Sequence, residues 1–113
     1  MPDEPIELVM VVSTLASAEE AQGLARQLVD ERLIACGTVI PGVTSIYRWE
    51  GRVEEGSEAL LVMKTRAALV AKLFERVAQL HPYEVPELVA LRPSQVAEAY
   101  GRWVLHETTE VNG

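Results

Sequence analysis

The sequence predicts an α+β fold, an antiparallel sheet with two crossover helices on one face and a further helix at the end of the chain. Three observations carry the prediction. A long stretch, Leu33–Thr65, is rich in β-branched and aromatic residues and doubles back on itself. Two apolar stripes at helical spacing lie on either side of it. Short extended segments open and follow the pattern, so the elements read β-α-β-β-α-β and then a helix.

Residues 1–5 read as a short tail, and the first strand as Ile6–Ser13, with Leu8-Val9-Met10-Val11-Val12 apolar throughout. Ser17 with Glu20 fits a capping box, in which each residue satisfies a backbone N–H at the start of a helix. Ala21, Leu24, Ala25, Leu28 and Val29 then make a helical stripe that ends near Arg32. In the long hairpin, Pro41-Gly42 marks a bend or bulge in the first arm. Gly51 and Gly56 bracket an acidic hairpin end, and Ala59–Thr65 returns as the next strand. On strand alternation Val43, Ser45, Tyr47 and Trp49 share one face, with Ile46 and Arg48 on the other. A second helix starts near Ala67, with Val70, Leu73, Phe74, Val77 and Leu80 on one side. It must stop at His81, because Pro82 disfavours helical geometry in the residue before it. Pro86–Leu91 reads as a short strand, ELVAL, Ser94 as the cap of a third helix with Val96, Tyr100, Trp103 and Val104 on one side, and the final seven residues as frayed.

This order is the ferredoxin-like split βαβ arrangement, in which right-handed crossovers place both helices on one side of the sheet. With no repeat, linker or low-complexity segment, residues 1–113 form a single domain. Helices on one face should leave the other wet, with strands alternating apolar and polar. Leu8–Val12, Leu60–Met63 and Leu88–Leu91 are instead apolar at consecutive positions. Both faces of the sheet therefore require burial. One terminal helix covers part of the reverse face, and a second copy of the chain would cover more, aided by a protruding hairpin that offers strand edges. The pattern predicts a homo-oligomer.

A net charge of −7, with ten Lys and Arg scattered and never three in a row, argues against nucleic-acid binding. Neither a spanning helix nor a signal peptide is expected from an acidic, proline-bearing start whose apolar run is only Leu8–Val12. The single cysteine, Cys36, has no internal disulfide partner and sits in an apolar strand pattern. These features predict a cytoplasmic protein with no membrane association.

Chemistry concentrates in His81-Pro82-Tyr83-Glu84-Val85-Pro86-Glu87. Two prolines stiffen this loop and lower the cost of holding side chains in place. His81, Glu84 and Glu87 are candidate metal ligands; the plainer alternative is a polar helix-to-strand turn whose groups cap backbone ends. Tyr47, Trp49 and Trp103 either wall a pocket or pack at a subunit interface. Glu50, Glu54, Glu55 and Glu58 read as a solvated hairpin end, and Met10, Met63 and Cys36 as core filling. Phosphate-loop, dinucleotide, nucleophile-elbow, zincin and C-x-x-C signatures are missing, so no enzymatic role is expected.

The blocks LIACGTVIPGVTSIYRWEGRVEEGSEALLVMKT and HPYEVPELVAL, with the late Trp103, resemble the CutA family of divalent-cation tolerance proteins over about Leu8–Trp103. The resemblance implies a stable homotrimer, related in architecture to the PII signalling proteins, whose long central hairpin pairs between subunits. It also implies a link to divalent metals, chiefly copper. The family pattern falls on Cys36, Pro41, Gly42, Tyr47, Trp49, Gly51, Lys64, His81, Pro82, Tyr83, Pro86 and Glu87. Where some relatives carry a cysteine late in the first strand and a second histidine before the H-P-Y block, this chain has Ser13 and Leu80. That departure leaves His81, Glu84 and Glu87 as a harder ligand set for Cu(II) or another divalent cation, and no organic cofactor is implied. Two other roles stand beside this one. One is a PII-like regulator binding a small anionic metabolite or nucleotide beside Lys64, Arg48, Tyr47 and Trp49. The other is an assembly platform for an unidentified protein partner.

Overall fold

A computed structural model describes residues 7–109. Four strands, β1 (Leu8–Leu15), β2 (Cys36–Trp49), β3 (Arg52–Arg66) and β4 (Val89–Leu91), form one antiparallel sheet in the order β2-β3-β1-β4. The helices are α1 (Ala18–Asp30), α2 (Val70–Leu80), entered through a 3-10 turn at Ala67–Leu69, and α3 (Glu98–Glu107). This is the expected ferredoxin-like α+β arrangement with its added terminal helix.

Each element has a local cause. The Ser17 hydroxyl accepts the Glu20 N–H at 3.1 Å and starts α1. Its buried stripe is Ala21, Leu24, Ala25 and Leu28; Val29, placed in that stripe by spacing, lies at its edge and is half exposed. The helix ends two residues short of Arg32. Arg32 takes a left-handed conformation, φ 61°, and its N–H and that of Leu33 close back onto the carbonyls of Val29 and Leu28. α2 stops where Pro82 requires, with His81 already extended at φ −75°, ψ 134°. The core, built from Val9, Val11 and Leu15 of β1, Leu61 and Met63 of β3, Leu28 of α1 and Leu73 and Val77 of α2, fills the space between the sheet and these two helices.

The hairpin differs from expectation at its tip. The turn is the two residues Glu50-Gly51, both at positive φ (49° and 79°), the geometry that matches the twist of paired strands. Gly56 sits inside β3 opposite Ser45, so Glu54, Glu55 and Glu58 are strand residues rather than turn residues. The bulge falls at Pro41-Gly42, with Gly42 at φ 69°. β1 pairs with β3 only as far as Leu15–Ala59, so Val43–Trp49 and Arg52–Glu58 run on as a two-stranded arm. Seven residues per arm extend about 23 Å. The radius of gyration is 15.3 Å, against about 13 Å for a compact chain of this length.

The C-terminal third also departs from expectation. β4 is three residues long, and α3 begins at Glu98 with Ala97 at its cap, so Ser94 caps nothing. Only Gly101 and Val104 of α3 are buried; Tyr100 and Trp103 stay 40% and 43% exposed. The segment after the helix is anchored rather than frayed as far as Thr108, which is buried and whose carbonyl accepts from Arg66 Nη2 at 3.2 Å. The expected tail and the last four residues lie outside the described residues.

Among the described residues the reverse face is covered at one end, where Val104 and Val96 pack on Leu8, Met10 and Ala35. Ile40, Val89 and Leu91 remain 44–45% exposed. Register places Val89 and Leu91 beside Val12 and Met10 on that face.

Gly37 marks a close approach of α1 to the sheet. A Cβ there would lie 2.9 Å from the Ala25 Cβ and 3.3 Å from Leu61. Gly37→Ala is therefore expected to cost about 1–3 kcal/mol by overpacking, read as a lower denaturation midpoint with unchanged slope.

Candidate functional site

The loop after α2 folds back over the reverse face where the arm leaves the sheet. Between them lies an open cleft of about 610 Å³, lined by Thr14 of β1, Ser45, Tyr47 and Trp49 of β2, Glu58 of β3, and Tyr83, Glu84 and Glu87 of the loop. Strand parity explains the grouping: Ser45, Tyr47 and Trp49 point to the face that also carries Glu58.

His81 organises this site from beneath. It is 7% exposed. Its Nε2 lies 2.8 Å from the Thr14 carbonyl, and its Nδ1 accepts the Tyr83 N–H at 3.1 Å. A carbonyl only accepts, so the proton belongs on Nε2 and both ring nitrogens are occupied. Expected as a metal ligand, His81 instead ties the loop to β1, the backbone-capping role that was the plainer alternative.

Tyr83 stacks at a tilt on the His81 ring, centroids 4.7 Å apart, and its hydroxyl donates to Glu58 Oε2 at 2.6 Å. Burial and the adjoining carboxylate push the phenol well above its usual range. Partial burial opposes ionisation of Glu58, but the hydroxyls of Ser45, Tyr83 and Thr14, with His81 nearby, outweigh it and hold the carboxyl below the ordinary carboxylate range. The sign follows directly. Glu58 adds stability that is full above its unfolded pKa and is lost as pH falls through its lower folded value. Melting temperatures measured from pH 7 down to pH 3 should therefore fall less steeply for Glu58→Gln than for the parent; parallel curves would mean that Glu58 gains nothing from these hydroxyls.

Of the residues expected at a site, the structure brings Tyr47, Trp49, Tyr83, Glu84 and Glu87 to one cleft, with His81 behind them. It adds Glu58 and Thr14, which sequence reasoning missed. The signal for Glu58 was present in the alternation Glu58-x-Leu60-x-Val62-x-Lys64, an acid on the greasy reverse face rather than in a turn. Cys36, Lys64 and Trp103 lie elsewhere. Lys64 Nζ donates to Thr38 Oγ1 at 2.7 Å and sits 3.8 Å from Cys36 Sγ. Trp103 packs on Tyr100, centroids 5.8 Å apart. Burial, together with Cys36 beside it, raises the Tyr100 phenol. Lys64 lies six positions along β3 from Glu58, about 20 Å.

Chemically the cleft offers carboxylates, hydroxyls and three aromatic rings. Among the described residues lining it there is no Lys or Arg, so neither Lys64 nor Arg48 is there to meet a small anion. Among the described residues of one chain, no three His, Cys, Asp or Glu side chains form a ready metal group. No described helix is long and apolar enough to cross a membrane.

The family model for CutA1 divalent ion tolerance protein matches residues 9–107. The chain is 48% identical over 99 residues to the divalent-cation tolerance protein CutA of Thermus thermophilus, covering 88% of this chain and 96% of that one. It is 42% identical to human protein CutA over 88% of its own length, yet spans only 55% of the human protein. A solved structure of the divalent cation tolerance protein from Thermus thermophilus superposes with a TM-score of 0.87 at 46% identity, covering 90% of this chain and 99% of that one.

Proposed function

The chain belongs to the CutA1 divalent ion tolerance family, and from that premise we propose that it is a cytoplasmic homotrimer that takes up a divalent cation, Cu(II) or another, in clefts where subunits meet. The observation that carries the reading is the cleft beside the arm, lined by Glu58, Glu84 and Glu87 with no basic side chain among the described lining residues. Carboxylate and hydroxyl oxygens fit a hard or borderline divalent ion. They do not fit Cu(I), because the one thiol, Cys36, is in the other cluster and both nitrogens of His81 are engaged. Within one chain the donor set is partial. A neighbouring subunit would bring its own side chains to the open side of the cleft.

Oligomerisation is supported by the same region. β2 is an edge strand of 14 residues, and the arm's Ile46 and Val53 are 68% and 64% exposed. A two-stranded ribbon of this length is marginal in water by itself, and an unpaired edge is a template for another strand. The count of three rests on the family resemblance, and the cytoplasm on the free thiol.

The test is calorimetry with Cu(II) and Mg(II) on chelator-stripped protein. Glu58→Gln, Glu84→Gln and Glu87→Gln should each weaken binding of the preferred ion by roughly tenfold or more, the scale of one lost charged ligand. Equal, millimolar-weak binding by the parent and all three variants would leave the cleft without a cation.

A further inference from the structure

A second pocket, of about 640 Å³, opens at the opposite end of the sheet, where the segments after α1 and α3 meet one side of α2. Four of the chain's ten basic residues converge there, Arg32, Arg66, Lys72 and Arg76, with Glu31 and Glu75 as the only acids among the described lining residues. In a protein of net charge −7 this is a local reversal of sign. Arg66 lies opposite Leu8 and the cleft begins near Leu15–Ala59, so the two sites are separated by about 23 Å along the strands.

The cations are unequally employed. Arg76 is neutralised by a two-pronged pair with Glu31, both contacts at 2.8 Å. Arg66 spends Nη2 on the Thr108 carbonyl, while its Nε is buried and has no partner among the described residues. A buried donor on a charged group is costly unless an acceptor reaches it. Lys72 has no carboxylate within 4.0 Å among the described residues. Arg32 reaches the pocket from a left-handed backbone (φ 61°) at the position after a helix end where glycine is the ordinary choice. A side chain held there costs about 1 kcal/mol. Its guanidinium lies 3.3 Å from the Glu107 carbonyl and 3.7 Å from that residue's carboxylate, leaving donors to spare.

We propose that this pocket binds a small molecule bearing a phosphate group, its oxyanion held by Arg32, Arg66 and Lys72. Planar guanidinium forks match tetrahedral oxyanions, and an ammonium supplies the point charge between them. The volume leaves room beside the oxyanion for the body that carries it. The site is remote from the acidic cleft, and its occupancy can be measured independently of any cation.

Isothermal titration of the full chain with pyrophosphate at fixed ionic strength tests this. Lys72→Glu, on the exposed surface of α2, should weaken binding at least about tenfold, the scale of one charge-assisted hydrogen bond. Arg32→Gly should weaken it comparably while leaving the melting temperature equal or higher, because glycine removes the left-handed strain. Arg102→Glu on α3, the same change in net charge outside the pocket, should bind as the parent does. Absence of pyrophosphate binding by the parent would overturn the proposal. So would an equal loss in Arg102→Glu, which would mark a nonspecific charge effect, or unaltered affinity in both Lys72→Glu and Arg32→Gly.

Discussion

A chain carrying lysine at both Val89 and Leu91 is expected to sediment as a folded monomer at concentrations where the parent is fully assembled. In a single chain these side chains are 45% and 44% exposed and border Val12 and Met10. Lysine there can lay its stem on the sheet and keep its ammonium in water, so the monomer loses little. Covering the same face with another subunit would strip water from two ammonium groups per chain. Each costs several kcal/mol when left unpaired, so the dissociation constant should rise by a hundredfold at the least. Analytical ultracentrifugation reads the mass and circular dichroism reads the fold. An assembled double variant would remove the reverse face from the interface; a monomeric parent would dispose of the homotrimer altogether.

His81→Ala is expected to cost about 3 kcal/mol of folding stability, since it orphans the Thr14 carbonyl and the Tyr83 N–H and leaves a cavity under the loop. The variant separates two roles for this residue. Acting as a ligand, it would lower cation affinity under all conditions in which the protein is folded. Acting as a tie between β1 and the loop, its loss should be largely rescued by His81→Asn, whose amide can donate to one partner and accept from the other. Cation affinity of the folded Asn variant should then stay within about threefold of the parent, half the free energy of a single lost charged contact or less. Denaturant unfolding and calorimetry on the same samples supply both numbers. A stable His81→Asn protein that has lost its cation would return His81 to the ligand set.

The strands, the first two helices and their packing on one side were legible because they follow from short-range rules. Ser17 starts α1 with its own hydroxyl, and Pro82 ends α2 by steric conflict with the residue before it. The apolar doublets of β1 and β3 state that both sheet faces are greasy, whichever chain covers them. Ser94 misled because a capping residue is useful only if the following turn is helical; Pro93 to Ala97 is not, and the helix waits until Glu98.

The site was half legible. That Tyr83, Glu84 and Glu87 share a loop is a fact of chain order. That Glu58 and Thr14 join them depends on register, which pairs residues far apart in the chain, Thr14 with Leu60 and Leu15 with Ala59. A shift of one residue would turn Glu58 to the opposite face. Local pattern could name His81 as a group able to bind metal or proton, but not say where its nitrogens point. Only the fold, by laying the Thr14 carbonyl against one and the Tyr83 N–H against the other, made it a structural tie. The basic pocket is the same case in stronger form. Arg66, Lys72 and Arg76 lie within eleven residues of one another, but Arg32 comes from the far end of α1, and only the packing of that helix end beside α2 brings it to them.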